Sequence, residues 1–199
     1  MKAVRGRLTI LTDNTVPERS EAIAEHGFSA FLETRKGNFL FDTGKGKTAV
    51  HNAAILKKDL TSINKIVLSH ANGDHSGGLP EVLSTLTSKQ IDVFAHPDIF
   101  ADRFRKKDDQ RTYGGIPFIK GHLERMGARF VFNRVYGEIE EGVFLTGEVP
   151  RQEELDRLEQ MLSAYPGVTN LVHVPAAVST EAGRVAPMVQ AIAERVSAV

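Results

Sequence analysis

The sequence contains no cysteine in 199 residues. That absence removes disulfides, a cysteine nucleophile and thiolate metal sites together, so a metal bound here must take nitrogen and oxygen ligands. An excess of charge is missing as well, because 25 basic and 25 acidic residues cancel at a sequence pI near 7.1. No global field gathers nucleic acid or an anionic membrane, and a small-molecule substrate or ligand fits better. No apolar run approaches the roughly 18 residues of a membrane span. The opening MKAVRGRLTILTDN carries charge but neither a long apolar stretch nor a small-residue cleavage site. The expectation is a cytoplasmic protein with no nucleic-acid or membrane partner. A Gly-x-Ser-x-Gly elbow is absent, which leaves a serine hydrolase without support. The segment DTGKGK lacks the spacing of a phosphate loop, so Lys45 and Lys47 read as exposed lysines.

Apolar residues, 41 % of the chain and spread along it, are enough for a sizeable core. The length fits one domain, residues 1–199. Alternation predicts strands over 7–12, 29–33 and 38–42, the last two joined as a hairpin through Thr34-Arg35-Lys36-Gly37. A helix over 47–57, a buried strand over 63–69, a helix over 80–86 and a strand over 92–95 follow. Beyond them the reading gives a helix around 98–105, a polar loop over 106–115, a helix around 119–126 and strands over 129–132 and 142–146. An amphipathic helix over 152–164, a short strand over 170–174 and a closing helix over 181–196 complete it. This mixture points to an α/β domain.

The chemistry concentrates where the 63–69 strand ends, in Leu68-Ser69-His70-Ala71-Asn72-Gly73-Asp74-His75-Ser76-Gly77-Gly78-Leu79. His70, Asp74 and His75 are spaced so that a loop leaving a strand can turn them toward one point, with Gly73 lending the freedom for that turn. Imidazole nitrogen and carboxylate oxygen suit zinc, iron or manganese. One histidine at a strand end is ordinarily structural; the three together, followed by Ser-Gly-Gly, read as descended from a metal site.

Ser69 to Leu79 resembles the His-x-His-x-Asp-His signature of the metallo-β-lactamase superfamily. Thr12-Asp13-Asn14-Thr15-Val16, Glu25-His26-Gly27-Phe28-Ser29, Phe41-Asp42-Thr43-Gly44, Ala95-His96-Pro97-Asp98 and Thr146-Gly147-Glu148-Val149-Pro150-Arg151 resemble, in order, blocks of its dihydropteroate-synthase-like or ribofuranosylaminobenzene-phosphate-synthase-like branch. The resemblance implies an αβ/βα sandwich, incomplete in its second half, with metal at one edge. It implies His70 as a first-site ligand and Asp74 and His75 as second-site ligands. Asn72 stands where the family has its second first-site histidine, and an amide oxygen is a poor donor to zinc. The family's later Gly-Cys-x-His-type segment has no counterpart here. A single ion, zinc before iron or manganese, is therefore expected in place of two.

The remaining candidates each carry two readings. Asp42 is either a turn-capping acid or the group that orients a ligand in the motif loop. His96 points into the cleft on the substrate side, or merely neighbours the capping Asp98. Glu148 serves as a catalytic acid or base beside Asp74, or forms a surface ion pair with Arg151. His173 replaces a missing ligand, or is a partly buried histidine bonded to a carbonyl. His26, His51 and His122 read as structural or solvent-facing. Two functions follow: a metal-dependent hydrolase acting through a metal-activated water on a small, phosphorylated or pterin-like metabolite, or an inactive binding module that has lost its two-metal centre. An incomplete sandwich leaves an open sheet edge or apolar face that a homodimer would cover.

Overall fold

The computed structural model describes residues 5–86, 89–107 and 109–148. Its centre is a six-stranded sheet in the order β1-β2-β3-β4-β5-β8. Strands β1 (Gly6–Thr12), β2 (Ser29–Thr34) and β3 (Gly37–Phe41) pair antiparallel. From β3 onward the pairing through β4 (Ile63–Val67), β5 (Ile91–Ala95) and β8 (Ala128–Phe132) is parallel. Parallel neighbours need crossovers, which are supplied by α1 (Ala49–Ile55), α3 (Leu79–Thr85) and α4 (Lys120–Arg125).

The apolar run Ile66-Val67-Leu68 at the end of β4 reflects burial on both faces of the sheet. Ile66 joins a core of Phe31, Leu40, Val82, Leu83 and Leu123 against the helices. Val67 faces the other way, with Ala30, Phe41 and Leu145. That second face is met by a small hairpin, β9 (Gly137–Glu140) and β10 (Val143–Leu145). Truncating a wholly buried side chain such as Ile66 costs about 2–5 kcal/mol, so this packing fixes the register of the strand that carries the motif.

The expected strands and crossover helices over 7–12, 29–42, 47–57, 63–69, 80–86, 92–95, 119–126, 129–132 and 142–146 are present with shifted ends. Besides the unexpected strand β9, three features differ. The helix expected over 98–105 is a single 3₁₀ turn, Pro97–Phe100, followed by strand β6 (Phe104–Lys107). The polar loop expected over 106–115 contains β7 (Gln110–Tyr113), antiparallel to β6 with Phe104 opposite Tyr113. Every β7 residue is exposed, so no buried face imposed a period of two on its sequence. The motif, expected as a loop throughout, holds a one-turn helix, α2 (Gly73–Ser76). Gly73 has nothing within 4 Å of its Cβ position and no left-handed φ, so the site does not depend on its flexibility. The elements expected over 152–164, 170–174 and 181–196 lie outside the described residues, as does His173.

The carboxyl ends of β3, β4 and β5 lie along one edge and deliver Asp42, Ser69-His70 and His96 respectively. In a parallel α/β sheet this edge is where ligands bind.

Candidate metal centre

Asp42 organises the site. It is wholly buried and holds a left-handed backbone at φ 52°, which costs a non-glycine residue roughly 1–2 kcal/mol. The strain aims its carboxylate into the motif. Oδ1 accepts the Ser69 backbone N–H at 2.7 Å, while Oδ2 accepts the Ser69 hydroxyl at 2.6 Å and His75 Nδ1–H at 2.7 Å. With its oxygens so committed, Asp42 works as an orienting group. His75 Nδ1–H is thereby committed to Asp42, which fixes the ring's orientation and leaves Nε2 as the nitrogen that faces outward.

That nitrogen lies 3.9 Å from Asp74 Oδ2, a spacing that two ligands of one ion can take up. Both side chains are partly covered, at 16 % and 19 % exposure. Burial disfavours the charged form of His75, but the Asp42 hydrogen bond and the charges of Asp42 and Asp74 outweigh it and raise its pKa. The loop itself is clamped from below: Thr43 N–H and Oγ1–H both donate to the His75 carbonyl, at 2.7 and 3.0 Å. A Cβ at Gly78 would sit 2.0 Å from the Thr43 carbonyl oxygen, so this close backbone approach admits only glycine. The Ser-Gly-Gly run thus serves packing of the two loops.

His70 stacks obliquely on His75 with ring centroids 4.2 Å apart. Donor atoms of Asp42, His70 and His75 all fall within 4.8 Å of one another, a group able to hold a metal ion. Burial, then the neighbouring His75, push the His70 pKa down to about 4, so the ring is neutral at pH 7. Its Nδ1 lies 2.8 Å from Ser69 Oγ, whose one proton goes to Asp42, so Nδ1 carries the proton toward Ser69. Nε2 faces the Asn72 side-chain oxygen at 3.1 Å. A neutral ring cannot donate there too, so lone pairs of Nε2 and the amide oxygen face each other across this contact.

The Asn72 amide is oriented by its other neighbours: its oxygen accepts from Arg105 Nη2 at 2.7 Å and its nitrogen donates to the Gly114 carbonyl at 3.1 Å. The β6–β7 hairpin therefore reaches over the position where a first-site ligand would be, bringing a guanidinium. Arg103, from the same segment, is half-buried and loses some basicity to desolvation, and its charge adds to the depression of His70.

The other candidates assemble separately. His96, 3 % exposed, bonds through Nε2 to Glu148 Oε1 at 2.5 Å and accepts the Asp98 backbone N–H on Nδ1. Arg134 donates to the same Glu148 oxygen and, at 3.2 Å, to Asp98. The His96 hydrogen bond, with help from Arg134, holds the Glu148 carboxyl below its ordinary range. Among the described residues no hydrogen bond or ion pair joins His96 or Glu148 to His70, Asp74 or His75. The Arg151 partner considered for Glu148 lies outside the described residues; Arg134 takes that place. His51 and His122 are exposed on α1 and α4. His26 is solvent-facing, as expected, though its Nε2 stands 3.4 Å from Asp74 Oδ2. Nothing local in the sequence pairs it with that acid; only the block Glu25-His26-Gly27 marked the spot.

Residues 23–155 match the family model of the metallo-beta-lactamase superfamily. Among curated proteins, the chain is 31 % identical over 139 residues to 7,8-dihydropterin-6-methyl-4-(beta-D-ribofuranosyl)-aminobenzene-5'-phosphate synthase of Methanocaldococcus jannaschii, covering 67 % of this chain and 47 % of the relative. It is 30 % identical over 154 residues to an uncharacterized protein of the same organism, covering 76 % and 57 %. The chain thus spans about half the length of the curated relatives it matches. A solved metal-dependent hydrolase of the beta-lactamase superfamily superposes with a TM-score of 0.57 at 21 % identity, over 94 % of this chain and 60 % of that one. That likeness establishes the fold, and its partial coverage agrees with a sandwich incomplete in its second half.

Proposed function

The chain belongs to the metallo-β-lactamase superfamily, and on that premise we propose that it is a single-metal hydrolase acting on a small metabolite with an anionic, phosphate-type group. The observation that carries this reading is the fixed orientation of the His75 ring, whose Nδ1 is held by Asp42 while Nε2 faces Asp74 Oδ2 at 3.9 Å. Donors of this kind fit zinc, iron or manganese. Asp74 and His75 would hold the ion, while His70 stands at the neighbouring position that Asn72 and Arg105 take up. When bound, the ion supplies Lewis acidity, polarising a carbonyl or phosphoryl oxygen and drawing the pKa of water down toward roughly 7.

The chain's own residues do the rest. Asp42 holds the His75 ring so that Nε2 faces Asp74. Arg105, exposed beside Asn72, and Arg103 supply positive charge for an anionic substrate group. Phe28, edge-on to Phe41 at 5.8 Å and 6.5 Å from the His75 ring, forms an apolar wall that suits an aromatic or pterin-like ring. The synthase relative, whose named product joins a pterin, an aminobenzene and a phosphate, supports that class. Glu148, committed to His96 and Arg134, we assign to bracing the strand ends and not to proton transfer.

The binding-module alternative draws on one observation, the Asn72–Arg105 contact that occupies the first metal position. Elemental analysis and hydrolysis of aryl phosphomonoesters and phosphodiesters separate the two. The hydrolase reading expects close to one ion per chain, turnover abolished by chelation and restored by metal, and loss of both metal and turnover in Asp74→Asn. Metal-independent ligand binding without turnover, in protein supplied with zinc, iron and manganese, would overturn it.

A further inference from the structure

The side chain of Asn72 holds a guanidinium beside the motif. We propose that Arg105 is the specificity-determining residue of this site, fixed by Asn72 so that its fork receives two oxygens of a phosphate dianion. The inference rests on the hydrolase reading above and names what that site selects, a phosphorylated substrate over a neutral one.

Two observations carry it. The first is how firmly the guanidinium is placed. Asn72 caps α2, and its backbone carbonyl accepts the N–H groups of His75 and Ser76 at 2.9 and 3.0 Å, which ties it to the motif. From there its amide reaches the β6–β7 hairpin at two points, donating to the Gly114 carbonyl at 3.1 Å and accepting from Arg105 Nη2 at 2.7 Å. Gly114 also makes room for the arginine stem. A Cβ at that position would press on it, 3.3 Å from Arg105 Cγ and 3.4 Å from Nε. The base of the hairpin is anchored in turn: Gly114 N–H donates to the Arg103 carbonyl at 2.8 Å, and the Tyr113 hydroxyl donates at 3.1 Å to the carbonyl of Ile116, a core residue. A long side chain already held in place loses less freedom when it meets a ligand.

The second is that the charge is unspent. Arg129 and Arg134 meet the carboxylates of Asp92 and Glu148, whereas among the described residues no carboxylate pairs with Arg105. An amide oxygen aligns the guanidinium without neutralising it, which an acid at position 72 would fail to do. Arg105 is exposed, so its remaining N–H groups are open to a ligand. They also stand close to the candidate metal residues, because the Asn72 oxygen that Arg105 binds lies 3.1 Å from His70 Nε2, and the His70 and His75 rings are in contact. A planar fork matches two oxygens of a phosphate, while a neutral ester offers it one weak acceptor.

Calorimetric titration of the full chain with inorganic phosphate, metal-free and then loaded with Zn²⁺, tests this, with turnover of phenyl phosphate as a second readout. Arg105→Ala is expected to weaken phosphate binding by at least about tenfold, the worth of one charge-assisted hydrogen bond, and to raise KM for phenyl phosphate with Zn²⁺ retained. Arg105→Lys keeps the charge and the stem but not the fork, so it should lose less, which separates recognition from misfolding. Asn72→Asp should also weaken phosphate binding, by pairing the guanidinium where it stands. Arg111→Ala, the same change of charge on the facing strand, should leave binding unchanged. Wild-type phosphate affinity in Arg105→Ala, or an equal loss in Arg111→Ala, would overturn the role of Arg105, and zinc-dependent turnover would then leave the hydrolase reading standing. A wild-type chain that binds neither phosphate nor Zn²⁺ would overturn both.

Discussion

Around His75 the orienting bond to Asp42 is in place and Nε2 faces Asp74, whereas around His70 and Asn72 an amide and a guanidinium take up the space that a ligand and an ion would share. The two positions are adjacent on one loop and were shaped by the same strand end. The difference shows that a metal position is kept by the groups behind its ligands as much as by the ligands. Asp42 reaches His75 directly but His70 only through Ser69, whose single proton cannot satisfy both neighbours.

The largest expected effect comes from removing what distinguishes the intact position. Asp42→Ala strands the buried Ser69 N–H and hydroxyl and frees the His75 ring, which should cost about 3–5 kcal/mol, the range for breaking a buried charge-assisted network. Urea unfolding of metal-free protein measures this. Loss under about 1 kcal/mol would mean that Asp42 does not organise the loop.

A smaller effect separates the two histidines by pH. His70 is held near about 4 in the folded chain and returns to roughly 6.5 when unfolded, so between those values the unfolded chain takes up a proton that the folded chain refuses. Stability therefore falls as pH drops through that window, by an amount on the order of 2 kcal/mol between pH 7 and 5. His75 has the opposite sign: its raised pKa contributes stability that is present below the unfolded value and lost as pH rises through the folded one. His70→Gln should flatten the acid-side loss seen in urea midpoints at pH 7 and 5. An unchanged slope would show that His70 is not buried as a neutral ring.

The contrast also marks what the sequence could reveal. The strands from 7 to 95 carried clean signals because each packs a defined face, and the ends of β3 and β4 placed Asp42, His70, Asp74 and His75 together through local spacing. Asn72 was visible as a departure from the motif. Its partner Arg105 was not, because the β6–β7 hairpin is exposed and lacks the apolar alternation that betrays a strand. The approach of His26 to Asp74 was hidden for a related reason: β2, β3, α1 and β4 lie between them in sequence, and the bonds that bring them together run through Glu25 and Phe28 to backbone atoms, which carry no residue-type signal. Where His96 and Glu148 were concerned, spacing suggested the cleft but could not reveal that their bonds go to each other and to Arg134.

The smallest effect on stability belongs to the altered position, and it sharpens the comparison most. Arg105 is exposed and its bond to Asn72 joins a charge to a neutral amide in reach of water, so Arg105→Ala should change stability by no more than about 1 kcal/mol. Its consequence lies in metal count. Removing the guanidinium alone leaves only an amide oxygen beside His70, too weak a donor to retain zinc, so the stoichiometry stays at one. Asn72→His combined with Arg105→Ala supplies a second imidazole and withdraws the competing charge, and the first position should then fill. Equilibrium dialysis against zinc should give one ion for the wild type and each single variant, and two for the pair. One ion in the double variant would mean that the position lacks a further ligand as well, and that its loss runs deeper than the exchange at residue 72.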